Sequence, residues 1–231
     1  MPGKQSKSFH SLVLISMGLY LFLLPFIQYP FTTILKPIPI LLLIRLTSRS
    51  SLLWQSKGLL IAALGFSMLG DVVLTLPGEA ALKAGIIAFL LTHCIYIGLY
   101  LQDSQFRIMR LIYFIPVLLL ISLGYRYLIP YLGNMALPVT IYLCMLTLMV
   151  FTAFQVVQYP LPIIIGACLF LLSDFILALN YFIFDKTWAD IAVMLSYYLA
   201  QFLLVTGLLK RKPYYSSQPQ RNNATINPLD L

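Results

Sequence analysis

The sequence predicts an all-α, polytopic transmembrane helical bundle, with eight spans and both termini cytoplasmic. Three observations carry that fold class. Of the 231 residues 61% are hydrophobic and only 10% charged, whereas a soluble globular domain carries about 25% charged residues. Mean hydropathy is correspondingly high, at +0.92. Long apolar runs recur along nearly the whole chain, each near the ~20 residues a helix needs to cross a bilayer. The short alternating strands of a membrane barrel are absent from the pattern.

The elements follow in order. Residues 1–8 form a short basic segment with Lys4 and Lys7. Span one covers about 9–27. It is followed by QYPFTT rather than a small-residue cleavage site, so it reads as a mature helix and not as a signal peptide. Span two, about 32–46, is short and carries Lys36-Pro37 and Pro39, and proline removes backbone donors from a helix. Spans three to eight cover about 58–76, 83–101, 109–129, 135–157, 161–184 and 189–209. Residues 9–209 are thus one transmembrane domain whose connections are too short to hold a soluble one. Residues 210–231 are basic and then polar, a composition that predicts a disordered tail.

Lys and Arg set the orientation. With the N-terminus inside, eleven of the fifteen fall on the inner side, three (Lys83, Arg126 and Lys186) on the outer side, and Lys36 within a span. That asymmetry is the positive-inside bias, and it fits an even number of spans with both termini inside. The formal net charge of +8 is therefore topological, and no nucleic-acid partner is expected. Cys94, Cys144 and Cys168 lie within apolar spans without CxxC or disulfide spacing, and they read as small buried hydrophobes.

Charge inside the apolar runs is the exception to explain. Asp71 lies about five residues before the outer end of span three, and Asp174 about ten before the outer end of span seven. At 1.5 Å per residue both fall in the outer half of the membrane. An aspartate in a spanning helix costs roughly 2.5–3.5 kcal/mol, so both should face the protein interior or a water-filled cavity. Lys36 enters from the outer side to a similar depth. His93, Tyr142, Tyr197 and Gln201 sit at overlapping depths in spans four, six and eight. Each has a structural reading too. Lys36 can snorkel to headgroup phosphates or pair with an aspartate, and His93, the tyrosines and Gln201 can be packing or interhelical glue.

Other chemistries are poorly served. HExxH, GxSxG and glycine-rich phosphate loops are absent. His10 and His93 are the only histidines, which excludes a His-rich metal site; a carboxylate site on the two aspartates is open but has no support in the pattern, and no metal is expected. Ser173 and Asp174 are adjacent, and adjacent helical residues do not face each other, so the pair does not suggest a triad. Two carboxylates in one cavity can split into a protonated acid and an ionised base. That pair suits hydrolysis of a bond activated by protonation, and it suits proton-coupled transport equally. Small size and the lack of clear inverted repeats weigh against transport.

Several blocks together resemble the YhhN-type lysoplasmalogenase family of eight-span membrane proteins. They are LKPIP at 35–39, GDVVL at 70–74, FLLTHCIY at 89–96, Pro138 with Tyr142, GACLFLLSD at 166–174 and SYYLAQFLL at 196–204. The resemblance implies hydrolysis of the vinyl ether bond of lysoplasmalogens to a fatty aldehyde and glycerophosphoethanolamine or glycerophosphocholine. It implies Asp71 and Asp174 as catalytic carboxylates and Lys36, His93, Tyr142, Tyr197 and Gln201 as pocket residues. The expected partners are a lysophospholipid substrate and membrane lipid. No cofactor is required, and the expected location is a bacterial cytoplasmic (inner) membrane. A lysophospholipase acting on an acyl ester, or a transporter, remains the alternative.

Overall fold

Prolines mark where the helices begin and break. In the computed structural model, which describes residues 2–211 with side chains from Ser8 onward, nine helices run in order. They are α1 (Pro2–Leu23), α2 (Phe31–Leu35), α3 (Ile38–Ser48), α4 (Trp54–Val73), α5 (Glu79–Leu101), α6 (Ile108–Leu128), α7 (Ala136–Gln155), α8 (Pro160–Leu179) and α9 (Thr187–Leu209). Pro160 opens α8 at the first turn, where its missing N–H costs nothing. Short helical turns carrying Pro25 and Pro130 follow α1 and α6. Eight segments are long and apolar enough to cross a membrane, with α2 and α3 counting as one. The basic start of the chain continues α1 rather than preceding it. The tail expected to be disordered lies, from residue 212 on, outside the described residues.

The span expected over 32–46 is a broken helix. The break falls at Lys36-Pro37, and the Lys36 carbonyl accepts the Tyr198 hydroxyl at 2.7 Å. Irregular backbone at membrane depth is tolerated only where it is buried in protein or lines a cavity; this break is half-buried, and Lys36 lines a cavity. The third span begins earlier and ends earlier than expected, at Trp54 and Val73. Pro77 and Gly78 follow closely.

Helices α4, α5, α7, α8 and α9 form the centre, with α8–α9 and α4–α5 the closest pairs. Helix α9 is the most enclosed and α6 the least, packing chiefly against α7 and α8. The close pairing of α8 and α9 needs Gly166: a Cβ there would stand 2.8 Å from Leu204 and 3.1 Å from the Ala200 carbonyl. Small residues at such crossings let backbones approach where no hydrophobic force drives helices together. The protein is an integral membrane protein, and its outer face is apolar accordingly: Leu119, Leu120, Leu123 and Ile112 on α6 are all more than half exposed. Cys94 and Cys144 belong to this face and are exposed, with Cys168 half-buried. Their expected burial fails because lipid, unlike water, does not drive a small apolar side chain inward.

Candidate active site

One face of α4 carries Leu60, Leu64, Ser67 and Asp71 inward, each four or so residues from the next. Gly70 lies beside the aspartate, and a Cβ there would sit 2.7 Å from the Phe89 ring. Helix α9 presents Tyr197 and Gln201, also four apart, to this face. A continuous chain of hydrogen bonds results. The Tyr96 hydroxyl donates to Gln201 Oε1 at 2.6 Å, and Gln201 Nε2 donates to Ser67 Oγ at 2.6 Å. Ser67 Oγ and the Tyr197 hydroxyl are 2.7 Å apart, and Tyr197 donates to Asp71 Oδ2 at 2.6 Å. Since the Tyr197 proton is committed to the carboxylate, Ser67 must donate to Tyr197. Every donor therefore points toward Asp71. Lys36, carried by the break before α3, stands 3.5 Å from Asp71 Oδ1.

A second, shorter chain ends on the other aspartate. Tyr142 on α7 donates to Asp174 Oδ2 at 2.5 Å, and His93 Nε2 lies 2.9 Å from the Tyr142 hydroxyl. By the same reasoning Nε2 carries the proton and donates to Tyr142. His93 Nδ1 is buried with no hydrogen-bond partner among the described residues, which a bare acceptor nitrogen tolerates better than an N–H. The direct His93–Asp174 separation is 3.7 Å. Phe89 and Phe170 stand between the two chains: the Phe170 ring packs edge-on at 4.9 Å from His93 and 5.5 Å from Tyr197.

Two cavities meet here. A polar one of about 380 Å³ is lined by Lys36, Asp71, Asp174, Asp190, Tyr20 and Tyr197, with Gln28, Thr32 and Thr75 among the rest. An apolar groove of about 660 Å³ runs between α6, α7 and α8, lined by residues such as Leu120, Tyr142, Leu143, Leu172 and Phe175. Lining residues Leu120, Leu123 and Leu172 are exposed on the lipid side. Among the described residues, Asp174 is the one that lines both.

The site residues named from sequence thus divide. Lys36, Asp71, Asp174 and Tyr197 line the polar cavity, and Tyr142 lines the apolar groove. His93 and Gln201 are wholly buried and stand behind Tyr142 and Tyr197. Sequence reasoning passed over Ser67, Tyr96 and Asp190. Ser67 was within reach of it, four residues before Asp71 on the same face. Tyr96 and Asp190 carry no signal that separates them from packing and surface residues.

Comparison with known proteins gives the chain a family. The model of the YhhN family matches residues 31–208. Over 158 residues the chain is 30% identical to proteins named lysoplasmalogenase from Mycobacterium bovis and Mycobacterium tuberculosis; the match covers 64% of this chain and 59% of each relative. The chain thus spans about three-fifths of their length. No solved structure matches.

Proposed function

The chain belongs to the YhhN family, and from that premise we propose that it is a lysoplasmalogenase-like hydrolase. It would cleave the vinyl ether of a lysoplasmalogen to a fatty aldehyde and a glycerophospho-alcohol, in a bacterial inner membrane. The names of its relatives support the activity. The observation that carries the reading is Asp174, the residue shared by an apolar groove and a polar cavity. A lysoplasmalogen has the same division: an apolar chain, a polar headgroup, and the vinyl ether between them. Chain in groove and headgroup beside Lys36 bring that bond to Asp174. The two volumes lie within the range of small-molecule sites, about 300–1,000 Å³.

The chemistry needs a proton donor, a nearby negative charge and a base. Asp174, bonded to the neutral Tyr142 hydroxyl, gives its proton to the alkenyl carbon β to oxygen. The oxocarbenium ion that forms is stabilised by Asp71, which Lys36 and Tyr197 hold as a carboxylate. Water attacks the cation and gives its proton to Asp71, leaving a hemiacetal. Asp71 then protonates the departing glycerol oxygen while Asp174 removes the hemiacetal hydroxyl proton. Aldehyde and alcohol leave, and both carboxyl groups return to their starting forms. His93, Ser67, Gln201 and Tyr96 act through the tyrosines they orient.

The test is incubation of detergent-purified protein with an alkenyl and an acyl lysophospholipid, with products identified by mass. Aldehyde from the alkenyl lipid alone is the expected result. Asp71→Asn and Asp174→Asn should each abolish it in protein that still folds and inserts, and full activity in both variants would sink the mechanism. Free fatty acid from the acyl lipid would make the protein a lysophospholipase. Substrate flux across sealed vesicles without a chemical product would make it a transporter.

A further inference from the structure

The polar cavity has a carboxylate that this mechanism does not use. Asp190 lies in the first turn of α9, on the face that also carries Val193, Met194 and Tyr197, and all four line the cavity. An acidic side chain in a helix's first turn is favoured by the helix dipole, which accounts for its being there but not for its facing the cavity. Its orientation is built. Asn180 Nδ2 donates to Asp190 Oδ1 at 3.3 Å, and Asn180 Oδ1 in turn accepts the Lys186 backbone N–H at 2.7 Å. Asn180 opens the wide helical turn Asn180–Phe184 that ends α8.

One carboxylate of the cavity lacks a cationic partner among the described residues. Lys36 is the only cation among the described residues that line it, against Asp71, Asp174 and Asp190. Lys36 is already paired with Asp71; its field reaches Asp190, but Asp190 makes no ion pair among the described residues. Even with Asp174 protonated, one carboxylate is in excess. Tyr20, whose side chain also feels Asp190, and Tyr29 at the mouth add aromatic surface, the chemistry that accompanies carboxylates in ammonium recognition.

We infer that Asp190 is the specificity-determining residue for the headgroup, accepting the positive end of a zwitterionic phosphoethanolamine or phosphocholine while Lys36 takes its phosphate. This rests on the reading above that the polar cavity holds the headgroup. The chemistry shared by the two headgroups is the ammonium group. A lysolipid ending in phosphate alone has no cation to meet Asp190 and presents extra negative charge to it.

The experiment compares three alkenyl lipids of one chain length, carrying phosphoethanolamine, phosphocholine or phosphate alone. In the wild-type protein kcat/KM for the two ammonium lipids should exceed that for the phosphate lipid by about two- to fivefold, the scale of one partly exposed charge pair. Asp190→Asn keeps the shape and the Asn180 contact, and should collapse that ratio to near one, partly by raising activity on the phosphate lipid. Asp190→Glu should restore the preference. The two ammonium arms decide whether ethanolamine, choline or both are read. Binding of the saturated ether analogues, which cannot be hydrolysed by this route, is measured in parallel with the same two variants. If no alkenyl lipid is cleaved, the hydrolase reading fails while binding still tests Asp190. A wild-type ratio near one, or a wild-type ratio retained in Asp190→Asn, overturns the inference in either measurement.

Discussion

Replacing Lys36 by methionine removes the ammonium from Asp71 while keeping the length and apolar stem of the side chain. The pair is 3.5 Å apart, with side chains 13% and 2% exposed. Two unit charges at that distance attract by about 5 kcal/mol at an effective dielectric of about 20. Partial exposure of Lys36 and the surviving Tyr197 hydrogen bond reduce the loss to about 3 kcal/mol, the low end for orphaning one partner of a buried pair. Adding Asp71→Asn to Lys36→Met removes the stranded charge and should recover about 2 kcal/mol. The assay is reversible unfolding in mixed micelles of the wild type, both single variants and the double, combined as a thermodynamic cycle. A coupling below about 0.5 kcal/mol, the value of an exposed surface pair, would refute the reasoning: the cavity would then be wet enough to screen both groups, and Lys36 would not hold Asp71 ionised.

Further outcomes follow from the same geometry. Tyr142→Phe strips the one hydroxyl bonded, among the described residues, to Asp174, a donor to the carboxylate that forms as Asp174 gives up its proton, and should lower kcat about ten- to a hundredfold; steady-state kinetics with an alkenyl lipid measures it. Gly166→Val drives a side chain into Leu204 and the Ala200 carbonyl and should cost about 1–3 kcal/mol, whereas Gly18→Ala, with nothing within 4 Å, should be neutral or stabilising by under about 1 kcal/mol; thermal midpoints in detergent compare them. Leu143→Trp fills part of the apolar groove and should lower the preference for long over short alkenyl chains about tenfold, the worth of roughly two methylenes. Equal loss at every chain length would remove the chain from that groove.

Much of the fold was legible because the solvent is simple. A bilayer demands contiguous apolar runs of fixed length, and the eight expected spans coincide with the eight long apolar segments to within a few residues. The discontinuity of the second span was foreshadowed by Pro37 and Pro39, since proline removes donors wherever it stands. Asp71, Asp174 and Lys36 stood out for an equally general reason: a charge within a span is too costly to leave facing lipid. Counting residues along each helix also gave their depth.

Rotation about each helix was not legible, and it decides the site. In a soluble helix an apolar stripe marks the buried face. Here lipid-facing and core-facing surfaces are both apolar, so periodicity does not distinguish them; Cys94 and Cys144 look inward by composition and face outward. Only the tertiary packing pairs Lys36 with Asp71, joins Tyr142 to Asp174, and sets Gln201 and His93 behind the tyrosines instead of in the cavity. Packing alone also brings a groove from α6–α8 and a polar cavity from α2, α4 and α9 to the two sides of one carboxylate. The sequence by itself determined that two aspartates and a lysine must hide from the bilayer, because their cost there is a property of the residue. Which partners they would find depended on small residues such as Gly70 and Gly166, which set how closely, and at what rotation, the helices meet.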